Sequence, residues 1–499
     1  MTILSIRKYY ESCNNIANDD EFLNEVSSKS MAWGLSIIPD ISNKPLVPLC
    51  GRFSLLPRPY PRSLFNKVIA TVPHFNKLIE GISKDPEWII ESLESVISSD
   101  DFTRHLIDIC KRIYINKSTS SKWSKDAIRL HLLRSDYLAS SDNSRILQVE
   151  INTISVAFIG LAEKLSVLHK YTAFSKVGSD SLKDLPVNNC CYNFAKSMSD
   201  AHNKYIEKYN GKFQYPFCFL FIVEKSEKNI YDQHALEYQL INSFNILVIR
   251  KTLTSISDNI QIGSNGELLL KSDNSILEIS LIYFRAGYGP QHYPSNIEWK
   301  SRELIETSRA IKCPSIVGQL AGTKKIQQLW YSNNGVYLNR FGLSPVEISE
   351  LFEIFAIQLD PSDDKNKNLI NDALANSDRW VLKPQREGGG NNIYDQELIN
   401  ALTTLPKSEL KQLVLMERIV PSPLPSVVVK DRENKMTAIV MNETVSELGI
   451  LSTYISSDDN YDNYCGHLLR TKNISEKEGG VNAGFAFLDT AYLIDEIIE

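Results

Sequence analysis

Nothing in this chain reads as a polyanion-binding surface. Its 54 Lys and Arg stand against 60 Asp and Glu, a formal net charge of -6, with the two signs mixed along the sequence. A nucleic-acid binder would carry a basic patch or excess, so that class is excluded. Long apolar runs are missing too. FCFLFIV at 217–223 is among the longest and is far too short to cross a bilayer, so no membrane span is expected. The start, MTILSIRKYYESC, turns charged and aromatic before any signal-type apolar stretch develops. The eight cysteines form no CxxC, and their only close pair is Cys190-Cys191. Neighbouring cysteines rarely bridge, so free thiols in a reducing cytoplasm are the simpler reading. With neither paired CxxC nor HxxxH, a zinc site has no support. Walker A and the dinucleotide GxGxxG are absent. So is any convincing Ser-His-Asp or Cys-His set, which leaves no case for a protein nucleophile.

What is present is the composition of an ordinary globular protein, 43% apolar and 23% charged over 499 residues. A chain of this length divides into two or more lobes. To about residue 130 it reads mostly helical: EWIIESLESVI and FTRHLIDICKRIYI space their apolar residues by three and four. LLPRPYPRSLF reads as an extended connector between helical stretches. From 213 to 320 the pattern changes, with FCFLFIVE, ILVIRKTL and SLIYFRAG as strands and YDQHALEYQLINSF as a helix. That alternation predicts an inserted α/β unit. The expected divisions are therefore 1–212, 213–320 and 321–499, in an α/β (α+β) fold. DPSDDKNKN at 360–368 and SSDDNYDNY at 456–464 read as solvated loops, and there is no internal repeat.

One stretch asks for an explanation. In VLKPQREGGGNNIYD, 381–395, an apolar run ends in Lys383 and leads into three glycines. Glycine triplets cost backbone entropy, so a bare backbone there needs a reason. A phosphate cradle is one, because N–H groups can surround an anion when side chains are absent; a surface turn is the other. RILQVEINTIS puts Glu150 and Asn152 on one strand face, either as oxygen ligands suited to Mg²⁺ or as surface decoration. Arg285 in YFRAGY either grips a carboxylate or makes a structural ion pair. Lys324 in QLAGTKK, and Arg470 and Lys472 in HLLRTK, are further cations beside apolar runs, serving a polyphosphate or merely solvated.

Seven blocks in order, RSDY at 134–137, EINTIS at 150–155, YFRAGY at 283–288, KCPSIVGQLAGTKK at 312–325, LKPQREGGGNN at 382–392, SELGI at 446–450 and HLLRTK at 467–472, resemble the eukaryotic glutathione synthetases. The resemblance runs from about residue 30 nearly to the end. It implies an ATP-grasp fold with glycine-rich lid loops, a homodimer, ATP as co-substrate with Mg²⁺, and γ-glutamylcysteine and glycine as substrates. Small molecules are thus the expected ligands, with neither nucleic acid nor membrane. It assigns Glu150, Asn152 and Glu387 to the metal. Glu150, Lys324, Lys383, Gly388, Gly389, Asn392, Tyr394 and Lys472 fall to the nucleotide. Met416 and Ile419 would face adenine, and Glu417, Glu447 and Glu478 complete the nucleotide set, with Glu478 where the family typically has aspartate. Arg134, Ser155, Glu227, Gln233, Arg285 and Tyr288 match the dipeptide-binding set. Arg470 matches a substrate-carboxylate contact and, with Lys324 and Lys383, would offset charge in the reaction. The acceptor pocket departs from the family twice. Ala157 stands where many relatives have serine, and Val481-Asn482 where many have Val-Ala, so a ligase using another acceptor amino acid is the alternative expectation.

Overall fold

A computed structural model describes residues 3–37, 49–98, 100–116, 121–209, 213–272, 275–385, 391–432, 435–456, 462–477, 479–481 and 484–498. Among them, two sheets of six strands and one of three carry the architecture.

The central sheet is antiparallel, in the order Phe487–Asp489, Asp462–Asn473, Lys435–Ile455, Leu130–Ala139, Ile146–Asn152, with Leu424–Arg432 beside the first half of the 21-residue strand. Its strands obey a period of two. In LHLLRSDYLA, Leu133, Tyr137 and Ala139 enter one core, while Leu130 and Leu132 enter another on the opposite face. Continuing that second face along the strand brings Arg134 and Asp136. Leu451 and Ile455, then Gly449 and Glu447, repeat the change from apolar to polar on the neighbouring strand. The functional end of this sheet is thus the continuation of a core face.

The second sheet draws all its strands from 217–313. Val248–Lys251, Phe217–Ile222, Ser275–Phe284 and Ile311–Cys313 run parallel, and a hairpin of Ile260–Ile262 and Leu268–Ser272 joins antiparallel. Phe219 and Phe221 enter the large core, which they share with the helices Ile159–Lys176 and Cys190–Tyr209. Cys218, Leu220 and Ile222 enter a separate core with Leu253 and Ile305. Both faces being covered, the strand reads as a continuous apolar run.

Gln358–Leu359, Val414–Glu417 and Trp380–Lys383 form the third, antiparallel sheet. Trp380, Leu382 and Leu415 pack on Ala373 and Leu398 from the helices Lys367–Ala375 and Asp395–Thr404. The alternate residues Val381 and Met416 turn the other way and meet Leu147 and Ala356 at a seam with the central sheet.

Two sequence expectations are corrected. LLPRPYPRSLF is not a connector: Arg58–Pro61 is a strand paired in parallel with Ala491–Ile494, and Arg62–Ala70 is a helix. Proline at 59 and 61 made it look extended and unpaired, but a sheet edge tolerates missing donors. The 360–368 stretch is exposed over most of its length, as expected, but it is not all loop: Asp360 accepts from Lys325 Nζ at 2.7 Å and a helix begins at Lys367. Cys13, Cys110, Cys190, Cys191, Cys218, Cys313 and Cys465 are buried and form no disulfide among the described residues.

Candidate active site

The three sheets meet around a cavity of about 920 Å³. Its walls bring together residues that lie more than 300 positions apart, from Arg134 to Val481.

The floor is the polar end of the central sheet. Cross-strand register pairs Arg134 with Asn152, Asp136 with Glu150, and Glu447 with Arg470. Arg134 grips Asp136 bidentately, Nε to Oδ1 at 2.7 Å and Nη2 to Oδ2 at 2.8 Å. Arg470 Nη2 donates to Asp136 Oδ2 and to Glu447 Oε1, both at 2.8 Å. Asn152 Nδ2 donates to Asp136 Oδ2 at 2.9 Å and, at 3.4 Å, to Glu150 Oε1.

Beside this lattice lies the cationic wall. Lys324 opens the helix Lys324–Tyr331 and stands 3.7 Å from Glu150 Oε2. Lys383, at the end of its strand, reaches Val149 O at 3.5 Å. Burial would raise the Glu150 carboxyl, but Lys324, Lys383, Arg470 and Arg134 outweigh it and hold it down at about 2. Glu447 goes the other way: burial raises it, the Asp136 and Glu150 charges add, and Arg470 opposes. Two carboxyls in one site are thus pushed apart, Glu150 firmly ionised.

An apolar slot opens at one end of this wall. Met416 and Val381 from the third sheet face Val149, with Ile419 and Tyr394 at the margin. Glu417 sits at the slot's rim. Tyr394 accepts from Asn392 Nδ2 at 3.2 Å, and its hydroxyl donates to Lys477 O, which also accepts from Lys472 Nζ at 2.9 Å. Val481 lines the cavity nearby.

At the other end lies Arg285, just past its strand and buried. Its Nη1 donates to Val156 O at 2.6 Å, and Nε is buried with no partner among the described residues. Ser155 and Phe158 adopt left-handed φ of 56° and 70°, a tight turn that aims Val156 O inward. Ser155 Oγ donates to Arg285 O at 2.8 Å, and Asp232 closes the turn by accepting from the N–H groups of Phe158 and Gly160. Tyr288 donates to Glu224 Oε1 at 3.1 Å, which His292 Nε2 also meets at 2.9 Å. Glu227 accepts from Gln233 Nε2 at 2.6 Å; Gln233 lies behind it and does not itself line the cavity.

The expected residues at 134, 150, 152, 155, 227, 285, 288, 324, 383, 392, 394, 416, 417, 419, 447, 470, 472 and 481 therefore share one cavity. Glu387, Gly388, Gly389, Glu478 and Asn482 lie outside the described residues. Among the described residues no three or more His, Cys, Asp or Glu side chains cluster as a metal centre. Sequence reasoning missed Asp136, although period two places it on the face of Arg134 within the quoted RSDY. It also missed Glu224 and Gln319, whose Nε2 donates to Gly287 O at 3.0 Å. Gly449 was missed as well: a Cβ there would stand 3.1 Å from both Arg134 Cδ and Asp136 Oδ1.

Comparison with known proteins places this architecture. Glutathione synthetase from Solanum lycopersicum, a chloroplastic protein, is 37% identical over 452 residues, covering 88% of this chain and 77% of that one. The Homo sapiens glutathione synthetase is 36% identical over 448 residues, covering 88% and 89%. A glutathione synthetase-like effector from Globodera pallida, solved in its apo form, superposes with a TM-score of 0.72 over 96% of this chain and 99% of its own. At 18% identity it shows the shared fold. The profile described as "Eukaryotic glutathione synthase, ATP binding domain" matches residues 16–493, and the chain belongs to that family.

Proposed function

We propose that this protein joins γ-L-glutamyl-L-cysteine to glycine with ATP, releasing ADP, phosphate and glutathione. The observation that carries this is one continuous cavity in which an apolar slot, a cationic wall and a buried arginine pocket follow one another. Adenine, phosphates and an amino-acid carboxylate need that order.

Met416, Val381 and Ile419 hold the base, and Lys324, Lys383 and Lys472 draw the phosphates along the wall. Arg285, Tyr288 and Glu227, the last steadied by Gln233, hold the γ-glutamyl end, with Arg134 and Ser155 orienting the cysteinyl end. The cysteinyl carboxylate then attacks the γ-phosphorus, forming an acyl phosphate as ADP departs. Glycine, its carboxylate near Arg470, attacks the acyl carbon through its amine, and phosphate leaves. The residues act by alignment and by neutralising charge as phosphoryl transfer proceeds. Keeping water from the acyl phosphate falls to the glycine-rich lid loops that the family resemblance implies.

Glu150 and Asn152 fit Mg²⁺. The carboxylate is ionised, and the amide nitrogen is committed to Asp136 and Glu150, which leaves Oδ1 as a hard ligand. Bound there with Glu387, Mg²⁺ would supply charge neutralisation at the phosphates. The 213–320 unit is read as the dipeptide-binding part, and the assembly as a homodimer. Buried cysteines with no disulfide among the described residues fit a reducing compartment, for which the cytoplasm is our reading.

The test is direct. Purified protein with ATP, Mg²⁺, γ-glutamylcysteine and glycine should yield ADP and tripeptide in equal amounts by mass spectrometry. ADP with a hydroxylamine-trapped acyl phosphate and no tripeptide would instead make it a carboxylate kinase. Ala157 lines the cavity and offers no hydroxyl to an acceptor carboxylate, so competing glycine against alanine and serine tests the other-acceptor reading. A preference for either over glycine would establish a glutathione analogue as product.

A further inference from the structure

We propose that Asp136 is the positioning residue of this site, a single counter-ion that sets the spacing of Arg134 and Arg470; the inference rests on the ligase reading above. Asp136 is fully buried and does not line the cavity, so it acts through its neighbours. Its two oxygens receive four N–H groups. Oδ1 takes Arg134 Nε, and Oδ2 takes Arg134 Nη2, Arg470 Nη2 and Asn152 Nδ2, all between 2.7 and 2.9 Å.

The arrangement does three things. Two guanidinium groups that would repel one another share this charge, which bridges them at a fixed separation, while Glu447 also holds Arg470. Arg470 is anchored through Nη2 alone, and its Nε is buried without a partner among the described residues, ready for a carboxylate. The amide of Asn152 is turned so that its nitrogen faces inward. Space for the cluster comes from Gly449 on the adjacent strand, paired with Asp136 in register, where a Cβ would crowd both Arg134 and Asp136 at 3.1 Å. A buried ion pair serving stability alone would not require two arginines that both border the cavity.

Asp136→Asn keeps the shape but removes the shared charge and one acceptor. Its KM for γ-glutamylcysteine and for glycine should each rise by roughly tenfold or more, with KM for MgATP within about twofold at saturating Mg²⁺. Gly449→Ala retains every charge and displaces the cluster by tenths of an ångström; it should raise the same two constants less, again sparing MgATP. A merely structural role would lower Tm and the active fraction while leaving every KM unchanged. That pattern in folded Asp136→Asn overturns the assignment, and if this variant does not fold, the same pattern in Gly449→Ala does so. A wild-type protein that forms no tripeptide refutes the ligase reading, and this inference with it.

Discussion

Replacing Arg285 by lysine separates the amino-acid end of the cavity from the nucleotide end. The arginine spends Nη1 on Val156 O and leaves Nε buried and unpartnered among the described residues. Burial opposes its charge, but Tyr283, Asp232 and Glu227 favour it, and the net effect raises its affinity for the proton. Lysine keeps the charge and can still reach Val156 O, but it cannot present a planar pair of donors to a carboxylate. Little of the effect should fall on the fold, because Val156 O also accepts from Tyr283 Oη at 3.0 Å and stays satisfied. One charge-assisted hydrogen bond to the substrate is lost. That is worth about 1.5–3 kcal/mol, or between roughly tenfold and somewhat over a hundredfold in γ-glutamylcysteine affinity. Calorimetric titration of wild type and Arg285→Lys with the dipeptide, and separately with a non-hydrolysable ATP analogue, reads both ends. Unchanged dipeptide affinity, or an equal loss for the nucleotide, would refute the reasoning.

Glu150→Gln should fold with near-native Tm yet lose about a hundredfold or more in kcat/KM and need more Mg²⁺, since a charge at the phosphates goes while packing stays; near-native turnover at limiting Mg²⁺ would disprove the metal role. Burial pushes Asp489 up to about 6, against Ser54, Arg58 and Thr471. The native state therefore holds that proton more tightly than the unfolded chain, and its contribution to stability is full below about 4 and lost as pH rises to about 6. Asp489→Asn should lack this loss, on the order of 2–3 kcal/mol, in urea unfolding at pH 4 and 6.5; parallel pH profiles would contradict the assignment. Gly322→Ala should cost about 1–3 kcal/mol, because the new Cβ would lie 2.4 Å from Thr153 Oγ1. Thermal unfolding indistinguishable from wild type would show that Thr153 yields freely.

Much of this site was legible in short stretches because strand faces are a local property. Period two alone puts Glu150 with Asn152 and Arg134 with Asp136 on common faces, and the strand ends of Lys383 and Arg285 follow from the apolar runs before them. The motif blocks carried the family and, through it, the chemistry. What local pattern cannot contain is which strand lies beside which. Asp136 meets Arg470 across 334 residues because the long strand Lys435–Ile455 pairs with Leu130–Ala139 through its second half. Asp232 reaches the turn before Ile159–Lys176, and Gln385 Oε1 accepts from Lys325 N at 3.0 Å, by packing of segments 60 or more residues apart in the chain. Arg58–Pro61 becomes a strand only because Ala491–Ile494 lies alongside. Hydrophobicity and period chose each residue's face; register and the packing of shared cores chose its neighbours, and the chemistry depends on those neighbours.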